Sequence, residues 1–103
     1  MSIFFLDPKP KAHDDTVTIG TTLTQIVGHS KRRLSVIIVN TTNQTLTLTR
    51  NPAGIAGKGL FAEQGEGYEW NKYRGDDVTN PIFGIVAANT ATVCFEEELD
   101  RGR

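Results

Sequence analysis

The chain has 103 residues, of which 38% are hydrophobic and 22% are charged, and its formal net charge at pH 7 is -1. This length predicts a single domain that buries roughly two-thirds of its unfolded surface and needs no metal or disulfide to hold its core. A near-neutral balance supplies no basic field for nucleic acid or an anionic membrane, and a lone cysteine, Cys94, excludes an intrachain disulfide.

Residues 1–15 are predicted to form an extended N-terminal arm. The prolines and lysines of residues 8–11 (PKPK) favour an extended, solvated path. The apolar cluster before them consists of Phe4, Phe5 and Leu6, and it is too short for a signal-peptide core or a membrane span. The cluster is expected to pack either on its own domain or on a neighbouring subunit, and the sequence leaves both alternatives open.

Eight short segments have the composition and alternation of β-strands, and none shows helical spacing. Turns rich in Gly, Pro and Asn separate them at intervals of roughly 8–12 residues, which predicts an all-β, antiparallel β-sandwich of the jelly-roll kind in preference to a small barrel. The sandwich is assigned to residues 16–98, and residues 99–103 to a charged tail. We expect nothing from Glu97 onward to be buried. The predicted strands are residues 16–19, 23–27, 34–39, 45–49, 60–62, 68–70, 82–88 and 91–96.

The predicted centre of the domain is a β-hairpin within residues 32–50. Its first strand, residues 34–39, is apolar at almost every position, which is typical of a strand covered on both faces. Its second strand, residues 45–49, alternates Thr with Leu, which is typical of one wet and one dry face. The polar residues 40–44 are predicted to form the turn between them. We therefore expect the threonine face to be open to solvent or to a neighbour.

The sequence offers no converging set of acid, base and nucleophile. His13 and His29 lack metal-ligand spacing, and Ser30 and Cys94 have no neighbouring base in the sequence. The glycine-rich residues 54–59 lack the Gly-Lys-Ser/Thr ending of a phosphate loop. We predict that the protein is not an enzyme and has no catalytic, cofactor-binding or metal-binding residues.

The basic cluster Lys31-Arg32-Arg33 has two interpretations. A short run of positive side chains at a strand edge is commonly solvated. The alternative is a salt bridge across a subunit interface to the acidic run 96–98. The sequence does not choose between them.

The order of several segments resembles a known class of protein. A basic start at residues 32–34 leads into an apolar strand that ends at Asn40, and a Thr/Leu strand and a glycine-rich loop follow. Then come GEGYEW at residues 65–70, PIFGIVA at residues 81–87 and TATV at residues 90–93. Over about residues 31–98, this order resembles small all-β virion proteins of tailed bacteriophages, which serve as head-decoration, head-stabilising or tail-associated subunits.

The resemblance implies a non-enzymatic structural protein, made in the host cytoplasm and located in the virion, that binds and stabilises the capsid lattice as a decoration or cement subunit. Its expected partners are the major capsid protein or another virion protein, and further copies of itself, with a trimer favoured. Direct binding to nucleic acid or to a membrane is not expected. The expected partner-binding residues are Phe4, Phe5, Leu6, Lys31, Arg32 and Arg33.

Two alternatives belong beside this expectation. The chain could be a tail-associated structural subunit. It could also be a binding module for a host-surface glycan or receptor. The binding module predicts an exposed aromatic shelf formed by Tyr68, Trp70 and Tyr73.

Overall fold

The computed structural model describes residues 11–100, which form eight β-strands and one short 3₁₀ turn (Lys72–Arg74). Each of the eight predicted segments is a strand, so the all-β prediction is confirmed. No helix in this part of the chain is long and apolar enough to cross a membrane. The strands are β1 (Lys11–Ile19), β2 (Thr24–Val27), β3 (Arg33–Asn40), β4 (Leu46–Thr49), β5 (Leu60–Ala62), β6 (Gly67–Asn71), β7 (Ile82–Val86) and β8 (Ala91–Leu99).

The strands form two antiparallel sheets of four strands each. The first sheet has the order β1-β8-β3-β6 and the second has the order β2-β7-β4-β5. Strand β1 thus pairs with β8, β2 with β7, β3 with β6 and β4 with β5, as if one long hairpin had been rolled into two layers. This is the strand order of a jelly roll, and the predicted sandwich is confirmed.

The predicted hairpin between β3 and β4 is wrong, because these strands belong to different sheets. The polar residues 41–45 carry the chain from one sheet to the other. Asn40, which is fully buried, fixes this crossing through its side chain. Its Nδ2 donates to the carbonyls of Gln44 (2.6 Å) and Ala62 (2.9 Å), and its Oδ1 accepts from the backbone N–H of Thr42 (3.0 Å).

The hydrophobic core fills the space between the two sheets. Aliphatic side chains from the inward faces of seven of the strands supply most of it, because successive residues of a strand point to opposite faces. The buried members are Ile19, Ile26, Val27, Val36, Ile38, Leu46, Leu48, Ala62, Trp70, Val78, Ile82, Val86, Ala91, Val93 and Phe95.

The outer faces of the two sheets differ from the sequence prediction. Strand β3 was expected to be covered on both faces, but Ile37 is 41% exposed on its outer side. The threonines of the second predicted strand were expected to stay open, but Thr47 is only 4% exposed. The loop of residues 50–59 covers it, and the backbone N–H of Gly57 donates to Thr47 Oγ1 at 3.1 Å.

Both ends of the domain carry more regular structure than was predicted. Strand β1 pairs with β8 along its whole length, from Lys11 opposite Leu99 to Ile19 opposite Ala91, so residues 11–15 are strand residues and not part of an arm. Burial of Glu97 also contradicts the expectation that nothing is buried from that position onward. Glu97 is buried because it pairs with Arg33 of β3. Strand β1 is held to β8 by the backbone ladder and by the contact of His13 Nδ1 with Glu97 Oε2 at 2.9 Å.

Candidate functional site

Of the predicted partner-binding residues, Arg33 lies inside the domain. It is 3% exposed, and its Nε donates to Glu97 Oε1 at 2.8 Å. The remaining guanidinium N–H groups donate to the carbonyls of Val78 (3.0 Å) and Gly28 (2.6 Å) and make a longer contact to Asn80 (3.4 Å). Arg33 can be buried because this position supplies the acid and the carbonyl acceptors that a buried guanidinium needs. Arg33 is therefore not available on the surface.

The other predicted partner-binding residues have different placements. Lys31 and Arg32 are exposed in the turn before β3, and Arg32 Nε donates to the carbonyl of Asp100 at 2.9 Å. Phe4, Phe5 and Leu6 lie outside the described residues. The basic cluster thus contributes two surface side chains instead of three.

A surface that the sequence did not indicate lies on the outer side of the first sheet. Its apolar centre is formed by Ile37, Val39 and Cys94, from the two inner strands β3 and β8. Val39 lies opposite Cys94 in the register, and the Cys94 thiol is exposed. We call this surface the outer face. It forms a shallow groove that also includes Asp14 and Glu96.

Carboxylates flank the apolar centre in one row across the sheet. The register places Asp14 opposite Glu96, Glu96 opposite Ile37, and Ile37 opposite Glu69. The Glu69 carboxylate approaches Arg74 at 3.6 Å, whereas the side chains of Asp14 and Glu96 make no hydrogen bond or ion pair with any described residue. Like charges directly opposite each other in a sheet are destabilising. The outer face therefore combines exposed apolar area with uncompensated negative charge.

A second exposed apolar cluster lies around β5, the edge strand of the second sheet. Ile55, Leu60 and Phe61 are all exposed there. Leu60 also lines an open pocket between the two sheets, with Leu48 and Trp70 among the other lining residues. We call this cluster the β5 edge.

The aromatic residues do not form one exposed shelf. Trp70 is buried and Tyr68 is half-buried beside it, with their ring centroids 6.3 Å apart. The Tyr68 hydroxyl donates to the carbonyl of Phe61 at 2.7 Å, which ties β6 to the β5 edge. Only Tyr73, on the 3₁₀ turn, is widely exposed, at 81%. The arrangement expected for a glycan-binding shelf is therefore not present among these three rings.

The acidic loop after the 3₁₀ turn uses its carboxylates to hold its own backbone. The backbone N–H of Asn71 donates to Asp76 at 2.9 Å, and with the nearby Arg74 guanidinium it lowers the pKa of that carboxyl group. Asp77 accepts from the backbone N–H of Thr79 at 3.0 Å, which lowers its pKa in the same way. These hydrogen bonds to the ionised carboxylates stabilise the loop conformation.

The titratable residues considered for chemistry are dispersed. His13 lies on the edge strand β1, where its Nδ1 is 2.9 Å from Glu97 Oε2, and His29 is exposed in a turn. Within the described part of the chain, no group of three or more His, Cys, Asp or Glu side chains is placed to hold a metal ion.

The outer face could have been found from the sequence only if the strand register had been known. Asp14, Ile37 and Glu96 are far apart in the chain, and no local motif joins them.

No family model, curated protein or solved structure matches the chain. The assignment to the jelly-roll class therefore depends on strand order and register, and this class includes viral capsid domains, lectin domains and cupins.

Proposed function

We propose that this chain is a non-enzymatic structural protein of a phage particle that binds and stabilises the capsid lattice through its outer face. Two observations support the proposal: the jelly-roll order, which viral capsid domains share with other classes, and the composition of the outer face. Because one fold hosts many functions, the outer face carries the argument.

The apolar centre of the outer face favours a covering partner. Ile37 lies on an inner strand of a four-stranded sheet, where its exposure cannot be attributed to an edge position. Full burial of such a side chain contributes about 1.5–3 kcal/mol, so covering the 41% of Ile37 that is exposed contributes about 1 kcal/mol. That is small for a single copy, but many copies bound to one symmetric lattice gain from avidity.

The charge of the outer face specifies the chemistry of that partner. The unpaired carboxylates of Asp14 and Glu96 lie directly opposite each other. A lattice surface with Lys or Arg around an apolar contact would relieve their repulsion and would steer the approach of the subunit. The same charge disfavours pairing of two outer faces with each other.

The natural Cys94 thiol is itself a probe of whether the outer face is covered, so no substitution is needed for the first test. Particles assembled from the genome that encodes the chain would be purified on a density gradient and treated with iodoacetamide, in parallel with the free chain. We expect the chain to co-sediment with the particles and Cys94 to react at least tenfold more slowly there than in the free chain. A chain that stays in the soluble fractions, or a thiol that reacts equally fast in both samples, would contradict the proposal.

A matched pair of variants separates the outer face from general charge effects. Ile37→Lys and Gln64→Lys each add one positive charge at an exposed position, but only the first changes the outer face. We expect Ile37→Lys to lose co-sedimentation and Gln64→Lys to retain it, with thermal unfolding confirming that both variants fold. Equal co-sedimentation of the two variants would exclude the outer face as the lattice contact.

A further inference from the structure

We propose that residues 3–6 of one copy bind the β5 edge of a second copy, so that copies of this chain join head to tail. This inference deepens the proposed function and rests on it for the expected homo-oligomer. The β5 edge is separate from the outer face, so the two contacts can be tested independently.

The β5 edge presents apolar side chains on both sides of one strand. Leu60 lies opposite Leu48, a core residue, while Phe61 lies opposite Thr47, which points to the outer side of the second sheet. Because successive residues point to opposite faces, Leu60 points toward the pocket between the sheets and Phe61 points outward. Phe61 is 51% exposed, and Ile55 in the adjoining loop is exposed as well.

One side of β5 pairs with no other described strand. In the described part of the chain β5 pairs only with β4, and it is three residues long. An edge strand with exposed hydrophobic side chains is a template for pairing with another chain. The hydroxyl of Tyr68 already donates to the carbonyl of Phe61. We therefore expect side-chain contacts to contribute more to binding than new backbone hydrogen bonds.

The composition of residues 3–6 (IFFL) matches this two-sided surface. Four consecutive apolar residues have no polar side when extended, so such a segment is stable only if both of its faces are covered. In strand addition, alternate side chains enter opposite pockets. Phe4 and Leu6 would enter the space beside Leu60 and Trp70, and Ile3 and Phe5 would cover Phe61 on the outer side.

The positions of the two elements favour exchange between copies. Strand β1 follows residues 1–10 and is an edge of the first sheet. It lies on the side of β2, the edge of the second sheet, because Ile19 and Ile26 both lie within 4 Å of the position that a Cβ at Gly84 would take. The bond from Tyr68 to Phe61 places β5 beside β6, at the other edge of the sandwich. The described part of the chain thus begins in the edge strand on one side of a copy, whereas the apolar edge lies on the other side. Such a heterologous contact closes into a ring or continues as a filament.

The length of residues 1–10 limits how far this contact can reach. Residues 1–10 can span at most about 33–36 Å when extended, and Pro8 and Pro10 favour an extended chain. A ring of copies would present several outer faces to the lattice at once, which is the geometry that avidity requires.

Light scattering after size-exclusion chromatography of the full chain tests the exchange. We expect the natural chain to be an oligomer, and both the double substitution Phe4→Ser with Phe5→Ser and the single substitution Phe61→Lys to elute at the 11.3 kDa of one chain. The control Tyr73→Lys, which changes an exposed aromatic residue away from β5, should leave the oligomer intact. Phe61 and Tyr73 are both exposed, so we expect both lysine variants to fold, which circular dichroism would confirm.

Mixing the two defective variants distinguishes exchange from packing of the arm on its own domain. The Phe61→Lys variant retains an intact arm and the Phe4→Ser, Phe5→Ser variant retains an intact β5 edge, so an equimolar mixture should form a one-to-one dimer that cannot close. A mixture that stays monomeric, or a natural chain that is monomeric at millimolar concentration, would overturn the inference. A monomeric chain that still co-sediments with particles would leave the proposed function standing.

Discussion

The Nε atom of Arg33 lies 2.8 Å from Oε1 of Glu97, and both side chains are buried at one end of the sandwich. The second carboxylate oxygen of Glu97 is 2.9 Å from Nδ1 of His13. The guanidinium also donates to the carbonyls of Gly28 and Val78. This one ion pair therefore connects two inner strands of the first sheet, the edge strand β1 and two loops.

We expect Glu97→Leu to destabilise the domain strongly, because it leaves the Arg33 charge buried without an acid. Removal of one partner of a buried ion pair costs about 3–5 kcal/mol. The free energy of unfolding, measured by urea denaturation, would show the loss. The control is Glu98→Leu, the same change at the next residue, which is exposed and should have little effect.

A double substitution tests whether the cost comes from the orphaned charge. Arg33→Met with Glu97→Leu removes both charges and should recover much of the stability that Glu97→Leu alone loses, because apolar residues can replace a buried ion pair at little cost. Additive losses in the double variant would show that the two side chains act independently, contrary to the 2.8 Å contact.

The crossing between the two sheets depends on Asn40. The substitution Asn40→Ala removes both donors to the carbonyls of Gln44 and Ala62, and each buried polar group left unpaired costs about 1–3 kcal/mol. We expect a lower melting temperature and faster hydrogen exchange in β5, which the Ala62 contact supports. Asn43→Ala, at an exposed position in the same crossing, is the control, and a similar loss there would indicate that the segment and not the side chain matters.

Gly67 at the start of β6 permits close approach of β3. A Cβ at this position would clash with the carbonyl oxygen of Ile38, so Gly67→Ala must move backbone atoms. Overpacking of this kind costs about 1–3 kcal/mol, which thermal unfolding would detect. Gly20→Ala is the matched control, because a Cβ there has no neighbour within 4 Å. Equal melting temperatures of the two variants would contradict the close approach.

The sequence predicted the strands well because alternation and turn composition are local signals. It could not predict their pairing, since the polar bend after Asn40 suits a hairpin as well as a crossing between sheets. It also could not show which residue of Lys31-Arg32-Arg33 is buried, because that depends on Glu97, 64 residues further along the chain. The sequence also could not show which outer face is covered. Residues 50–59 cover Thr47 on the second sheet, whereas Ile37 on the first sheet is exposed.

Acid should weaken the loop after the 3₁₀ turn. Hydrogen bonds from the Asn71 backbone and from Arg74 lower the pKa of Asp76 below its ordinary value of 3.8. A folded-state pKa below the unfolded value adds stability that is complete above the unfolded pKa and is lost as the pH falls through the folded pKa. Asp76→Asn should therefore be less stable than the natural chain at pH 7. Their unfolding midpoints should converge as the pH falls below 3.8, and a constant difference across that range would contradict this role of the ionised carboxylate.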